Sequence, residues 1–374
     1  MLRSCLLLFL VVPLLGLAQA PLPPQVTARA WMVVDVSSDQ ILAAEKPDER
    51  FEPASLTKLM TAYLVFAALK EKKLALEHQV NVSERAWRAP GSRMFIEPRK
   101  PVTAGELIRG MIVQSGNDAC IALAEQVAGS EEAFAAMMNR EAGRLGMKNT
   151  KYMNSSSLPD PRHYSTARDL YLLAVALIRD FPEQYAQYYS QREYRYNGIT
   201  QPNRNRLLWL DSTVDGVKTG FTEAAGYCLV ASSKRGPRRL LSVLLGATSE
   251  TMRAQESQKL LNWGFQFFDA ARLYAGNATV KEIEVWKGAR ATLKAGFRAD
   301  LLVTVPKGQG DRLKAELLAV SPLVAPVAAG ARVGNLRVTL DGRPFGEYPV
   351  VALEEVPAAG IFVRAWDTLR LWLR

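Results

Sequence analysis

Residues 30–36 alternate in a strand-like way, a polar turn follows at Asp35-Val36-Ser37-Ser38-Asp39-Gln40, and apolar character resumes at Ile41-Leu42, a pattern that predicts a β-hairpin. The stretch Ser55-Leu56-Thr57-Lys58-Leu59-Met60-Thr61-Ala62-Tyr63-Leu64-Val65-Phe66 is apolar almost all round, as in a helix buried inside a domain. Helical spacing of apolar positions predicts further helices over 103–111, 118–128, 131–145 and 167–179. The character then changes. Residues 226–232 and 239–245 are short runs of Tyr, Leu, Val and Ala that read as strands, and a helix follows over 251–268. Strands, a mostly helical insertion and strands again predict an α+β fold, with helices packed on one antiparallel sheet.

After Ala275 the helical period disappears. Leu336-Arg337-Val338-Thr339-Leu340 alternates, Asp341-Gly342 is a hairpin signal, and Tyr348-Pro349-Val350-Val351-Ala352-Leu353 continues the pairing. The chain is therefore expected to divide into a main domain over 21–275, a small all-β domain over 276–358, and a terminal segment over 359–374. On a helical wheel Ile361, Phe362, Ala365, Trp366, Leu369, Trp372 and Leu373 share one side of that segment, and Arg364, Asp367, Arg370 and Arg374 the other. An amphipathic helix of this kind, residues 360–374, suits the interface of an anionic membrane. Docking on its own protein is the competing reading, and two Trp at the end of a basic chain favour the membrane. The segment is too short to span a bilayer.

The first twenty residues add an export signal: Arg3 is the only charge, an apolar run follows over 6–17, and Ala18-Gln19-Ala20 supplies small residues for cleavage. Export changes the meaning of the net charge of +10. Basic residues are scattered among helices and strands without aromatic interleaving, so an anionic lipid surface or cell-wall polymer is the expected partner rather than nucleic acid. Cys5 lies within the signal, and Cys120 and Cys228 sit in apolar settings as small buried residues, with a single disulfide between them as the alternative.

Three short motifs carry the candidate chemistry: Ser55-Leu56-Thr57-Lys58 at the opening of the buried helix, Ser115-Gly116-Asn117 between two helical patterns, and Lys218-Thr219-Gly220 before the strand at 226–232. Residues three apart on a helix share a face, so Lys58 can reach the Ser55 hydroxyl. That hydroxyl is a poor nucleophile until a base takes its proton. A lysine serves as base only with a depressed pKa, which burial and a second cation, Lys218, would both favour. Ser115 can pass a proton to a leaving amine, and Asn117 can hold a substrate amide together with Lys58. Lys218 and Thr219 offer a cation and a hydroxyl to a substrate carboxylate, and Gly220 lets a substrate backbone approach. His78 and His163 are the only histidines, and neither has a G-x-S-x-G partner. No His, Cys or carboxylate cluster has metal-ligand spacing, so no metal and no cofactor is expected.

In these motifs the sequence resembles the D-alanyl-D-alanine carboxypeptidases among the low-molecular-mass penicillin-binding proteins. The resemblance runs from about residue 30 to 356 and includes Pro53-Ala54-Ser55-Leu56-Thr57-Lys58-Leu59-Met60-Thr61, Ser115-Gly116-Asn117-Asp118-Ala119-Cys120, Asp215-Gly216-Val217-Lys218-Thr219-Gly220 and Leu260-Leu261-Asn262-Trp263-Gly264-Phe265. It implies a penicillin-recognising, β-lactamase/transpeptidase-like fold, a β-rich stalk and a C-terminal membrane helix, on the periplasmic face of the inner membrane. It implies peptidoglycan stem peptides and β-lactams as ligands, with Ser55 acylated, Lys58 its proton acceptor, Ser115 the second-motif serine and Lys218 the carboxylate contact. Arg204 and Arg253 resemble arginines near the site in relatives, with ordinary surface arginines as the alternative. Cys120 resembles a cysteine flanking the site and is a candidate reactive thiol. Phe221 stands where many relatives carry His, a departure that bears on affinity or deacylation. The rival activities are a D,D-endopeptidase built on the same residues, a β-lactamase, for which no deacylating-glutamate loop is recognisable, and a catalytically dead wall-binding protein, against which the intact motifs argue.

Overall fold

A computed structural model describes residues 22–373, so the export signal read over residues 1–20 lies outside the described residues. The first hairpin pairs β1 (Ala30–Asp35) with β2 (Gln40–Glu45). Helix α1 (Lys58–Lys70) follows, and Leu59, Met60, Val65 and Phe66 on it are fully buried. Its all-round apolar sequence fits that place at the centre of the molecule. Around it stand α2 (Glu84–Trp87), α3 (Ala104–Val113), α4 (Asn117–Ala128), α5 (Glu131–Arg144), α6 (Ala167–Asp180) and α7 (Pro182–Tyr188). Their starts are written locally. Thr103 and Glu106 form a reciprocal capping box on α3, Ser130 and Thr166 cap α5 and α6, and Gly129 ends α4 at φ +79°.

The chain then forms the hairpin β3 (Glu193–Tyr196) and β4 (Ile199–Pro202), which the sequence pattern did not reveal, and the short helix α8 (Leu207–Leu210). Strands β5 (Val214–Thr222), β6 (Gly226–Arg235) and β7 (Arg238–Ala247) complete an antiparallel sheet in the order β2-β1-β7-β6-β5. The two faces of β1 explain its almost unbroken apolar run. Met32 and Val34 join the core around α1, whereas Trp31 and Val33 pack with Leu260 and Trp263 of α9 (Glu250–Phe267) on the opposite face. Strand β5 lies at the sheet edge, so one of its hydrogen-bonding rims has no neighbouring strand in this sheet. The sequence reading put Lys218-Thr219-Gly220 ahead of a strand. They lie within β5, whose glycines and polar residues interrupt the expected alternation.

β8 (Phe268–Tyr274) continues directly from α9, earlier than the loss of helical period at Ala275, because Phe268-Asp269-Ala270-Ala271 still reads as helix. It pairs with β11 (Leu301–Pro306). Strands β9 (Thr279–Trp286), β10 (Thr292–Gly296), β12 (Leu313–Ala319), β13 (Leu323–Val324), β14 (Arg332–Leu340) and β15 (Arg343–Ala352) form a second sheet over Leu293, Val333, Leu336, Val338 and Val350. Asp341 and Gly342 both have positive φ, as the two-residue turn between β14 and β15 requires. One threonine joins the first sheet to the β8–β11 pair: Thr304 Oγ1 donates to buried Asp35 Oδ2 at 2.8 Å, and the Thr304 backbone bonds both ends of the Gln40 amide.

The last helix, α10 (Ile361–Trp372), turns its polar side inward. Asp367 Oδ2 accepts from the Lys287 amide at 2.6 Å and the Arg370 guanidinium lies 5.1 Å from the Trp286 ring centre, while Phe362 and Trp372 are 91% and 81% exposed. The competing reading of the sequence therefore holds: the helix is docked on its own protein by charged residues, with its apolar residues outward. Among the described residues no helix is long and apolar enough to cross a membrane.

Candidate active site

Ser55 sits in a single 3₁₀ turn, Ala54–Thr57, and Lys58 is the first residue of α1. Side chains three apart eclipse one another in a 3₁₀ turn, which tightens the expected helical relation. Lys58 Nζ donates to Ser55 Oγ at 3.0 Å, to Asn117 Oδ1 at 2.8 Å and to the Ser156 carbonyl at 2.6 Å. An ammonium has three protons, and all three are used on neutral acceptors. Among the described residues no carboxylate pairs with it directly, and burial lowers the Lys58 pKa to about 8, with Arg204 adding to the effect and Cys120 and Asp118 opposing it. Lys218 is held well below the ordinary lysine range by burial, by Lys58 and then by Arg204. The two buried lysines repel each other, as the sequence reading had it, and Arg204 is a further cation acting on both.

The second motif is built on a tight turn between α3 and α4. Ser115 has φ +61°, Gly116 precedes the helix, and Asn117 opens it. Ser115 Oγ accepts from Lys218 Nζ at 3.0 Å, so its resting partner is the lysine of the third motif. Asn117 Nδ2 donates to the Pro90 carbonyl at 2.7 Å, which fixes the amide with its oxygen toward Lys58. Asp118, the next residue, is fully buried and accepts from the amides of Met94 at 3.0 Å and Phe95 at 2.8 Å, pinning the loop beside the site. Its role was not evident from the motif alone.

β5 brings the third motif alongside. A Cβ on Gly220 would stand 3.2 Å from both Ala54 Cβ and the Pro53 carbonyl, a crowded approach that glycine relieves where the sheet edge meets the turn bearing Ser55. Thr219 is buried beside Lys218. Arg253 is also buried, against the surface reading, and its Nη2 donates to the Arg204 carbonyl at 3.2 Å and pairs with Glu250 at 3.0 Å. Arg204 itself is exposed. Phe221 is half-exposed and packs on Tyr227 with ring centres 4.3 Å apart.

Two residues read differently from the sequence. His163, placed there in a turn, is buried and bonded through Nε2 to Thr57 Oγ1 at 2.9 Å, in the same turn as Ser55. Burial holds its pKa down to about 4, so the ring is neutral at ordinary pH. Cys120 is buried and its thiol is pushed up to about 12 by burial. Cys120 and Cys228 are both free, so the alternative of a disulfide fails. His78 bonds Gln126 at 3.2 Å, among residues outside the three motifs.

Residues 17–249 match the D-alanyl-D-alanine carboxypeptidase family, peptidase S11, and residues 268–358 match the penicillin-binding protein 5 C-terminal domain. D-alanyl-D-alanine carboxypeptidase DacC of Escherichia coli K12 is 44% identical over 96% of this chain and 92% of its own length. DacA of the same strain is 40% identical over 93% of this chain and 88% of its own length. The crystal structure of penicillin binding protein 5 from Haemophilus influenzae superposes with a TM-score of 0.86 at 39% identity, covering 90% of this chain and 99% of that one. With a serine, a buried lysine and a second lysine gathered at the edge of such a sheet, the chain belongs to the D-alanyl-D-alanine carboxypeptidase family and is a serine-type D-Ala-D-Ala carboxypeptidase of the penicillin-binding class.

Proposed function

We propose that Ser55 is the acylated nucleophile and Lys58 its general base, acting on the terminal D-Ala–D-Ala bond of peptidoglycan stem pentapeptides. The observation that carries this reading is the 3.0 Å contact between a buried Lys58 Nζ and Ser55 Oγ. With a pKa of about 8, roughly a tenth of Lys58 is neutral at pH 7 and able to accept a proton. Ser55 Oγ loses its proton to that amine as it attacks the carbonyl. Ser115, bonded to Lys218, then delivers a proton to the leaving D-alanine, and water hydrolyses the ester. Lys218, Thr219 and Arg204 bind the terminal carboxylate, Asn117 and Gly220 the backbone, and buried Arg253 holds Arg204. A β-lactam acylates the same serine.

The chain is further read as exported, with a catalytic domain over 21–275, a β-rich spacer over 276–358, and residues 360–374 resting on an anionic membrane at the periplasmic face. The outward apolar face of α10 supports that placement. D-alanine release from a pentapeptide ending in D-Ala–D-Ala is the direct test. Ser55→Ala is expected to abolish release, and release undiminished in that variant would refute the assignment.

A further inference from the structure

Helices α1, α4 and α5 converge on the reaction centre by their first residues. Lys58 bonds Ser55 and Asn117, and Glu131 holds Ser155, whose neighbour Ser156 lends its carbonyl to Lys58. The C-terminal halves of the same helices leave between them a cleft of about 510 Å³. Leu64, Ala67 and Ala68 line it from α1, which sets it roughly 9–15 Å along the helix axis from Lys58. None of its lining residues belongs to the three motifs. Its size lies within the range of small-molecule pockets, about 300–1,000 Å³.

Much of the wall is apolar: Leu64, Leu74 and Phe181 are buried, and Val127 and Met137 are half-buried against the core. Two acids belong to the wall, and both are engaged, Glu141 by Arg144 at 2.5 Å and Glu71 by Lys73 at 2.6 Å. Arg144 also donates to the Tyr63 hydroxyl at 2.7 Å. Arg140 remains. It is exposed, and among the described residues it has no salt-bridge partner. The lining thus carries one more cation than acids, and the excess charge stands on the side chain left free. An apolar body suits the first part of this wall and a single anion the second.

We propose that this cleft is a second binding site, for a free amphiphilic monocarboxylate whose aliphatic chain packs on Leu64, Met137 and Phe181 and whose carboxylate meets Arg140. A planar guanidinium receives a carboxylate through two parallel N–H···O bonds, which gives the site its preference for that head group. A cationic amphiphile of the same length meets Arg140 as a like charge, with both acids of the wall already paired. The occupant touches α1, α4 and α5 together, so its binding stabilises the folded chain at the far ends of the helices that hold Lys58 and Asn117. The site does not depend on the assignment of Ser55, and acylation of that serine leaves the cleft open.

Calorimetric titration of the full-length protein with decanoate is expected to show saturable binding to one site in the cleft, with a Kd below about 1 mM, and decanoate is expected to raise the melting temperature. Decyltrimethylammonium should bind at least about tenfold more weakly. Arg140→Gln is expected to weaken decanoate about fivefold or more, and Ala67→Phe, which fills the cleft, to abolish its binding. Thermal melting and penicillin labelling establish that both variants fold, and the exposed Arg140 position carries the test if Ala67→Phe does not. Two further arms locate the site. The penicillin-acylated protein, and Trp366→Ser with Trp372→Ser, should each keep the decanoate affinity within about twofold. Loss of binding on acylation would place the carboxylate at the reaction centre, and loss in the tryptophan variant would place the chain on α10. Either result would overturn the proposal, as would the absence of saturable binding, equal binding of the cation, or full affinity in Arg140→Gln.

Discussion

Thr57 Oγ1 and His163 Nε2 lie 2.9 Å apart in the buried floor beneath the turn that carries Ser55. The other ring nitrogen, Nδ1, accepts from the Met153 amide at 3.4 Å, so Nε2 bears the proton and donates to Thr57. A neutral histidine thus ties the nucleophile's turn to the segment that leads to Ser156.

Stability should report that histidine. Its folded pKa of about 4 lies below the ordinary 6.5, so the unfolded chain binds the extra proton between those values. The contribution is fully present above about pH 6.5 and is lost as pH falls through about 4, at a cost of up to roughly 3 kcal/mol. Denaturant unfolding at several pH values should show this decline in the native protein and a shallower one in His163→Gln.

The acylation rate should follow Lys58. Its neutral form is the base, so the second-order rate with a β-lactam is expected to rise about tenfold per pH unit below pH 7 and to level off above about 8. Arg204→Gln removes a charge that holds the Lys58 pKa down, and should move the rise to higher pH. Stopped-flow acylation across pH 5–10 gives both curves, and a flat profile would exclude Lys58 as the titrating base.

Glu131 acts through the backbone. Its buried carboxylate accepts from the Ser155 amide at 3.0 Å and hydroxyl at 2.6 Å and pairs with Arg85 at 2.7 Å, while the neighbouring Ser156 carbonyl holds Lys58. Glu131→Ala is expected to cost about 2–3 kcal/mol in unfolding free energy and to slow acylation. Loss of stability with an unchanged acylation rate would show that the Ser156 carbonyl keeps its position without it.

For α10, truncation after Ala359, or Trp366→Ser with Trp372→Ser, should abolish co-sedimentation with anionic vesicles and leave penicillin acylation intact. Undiminished sedimentation would assign membrane contact to another surface.

Much of this architecture was legible because its signals are local. The apolar circumference of 58–66 announced a buried helix, and Asp341-Gly342 announced the last hairpin. The three motifs converge as expected, since Ser55, Lys58 and Asn117 are linked by hydrogen bonds, as are Ser115 and Lys218. What escaped the sequence depends on tertiary placement. β5 is interrupted by Gly216 and Gly220, one of which relieves a crowded approach to Ala54, so its alternation is weak. His163 has no local mark of burial in Pro161-Arg162-His163-Tyr164, and only the fold sets it beneath Thr57. The further cation acting on Lys58 and Lys218 is likewise placed by the loop of Arg204, anchored through Asn205 and Arg253.

The central claim is tested most directly by treating the purified mature protein with penicillin, measuring its intact mass, and mapping the adduct by peptide mass spectrometry. A gain of one acyl group located on Ser55, absent from Ser55→Ala and strongly slowed in Lys58→Ala, is the predicted result. An adduct on another residue, or no adduct on the folded protein, would contradict it.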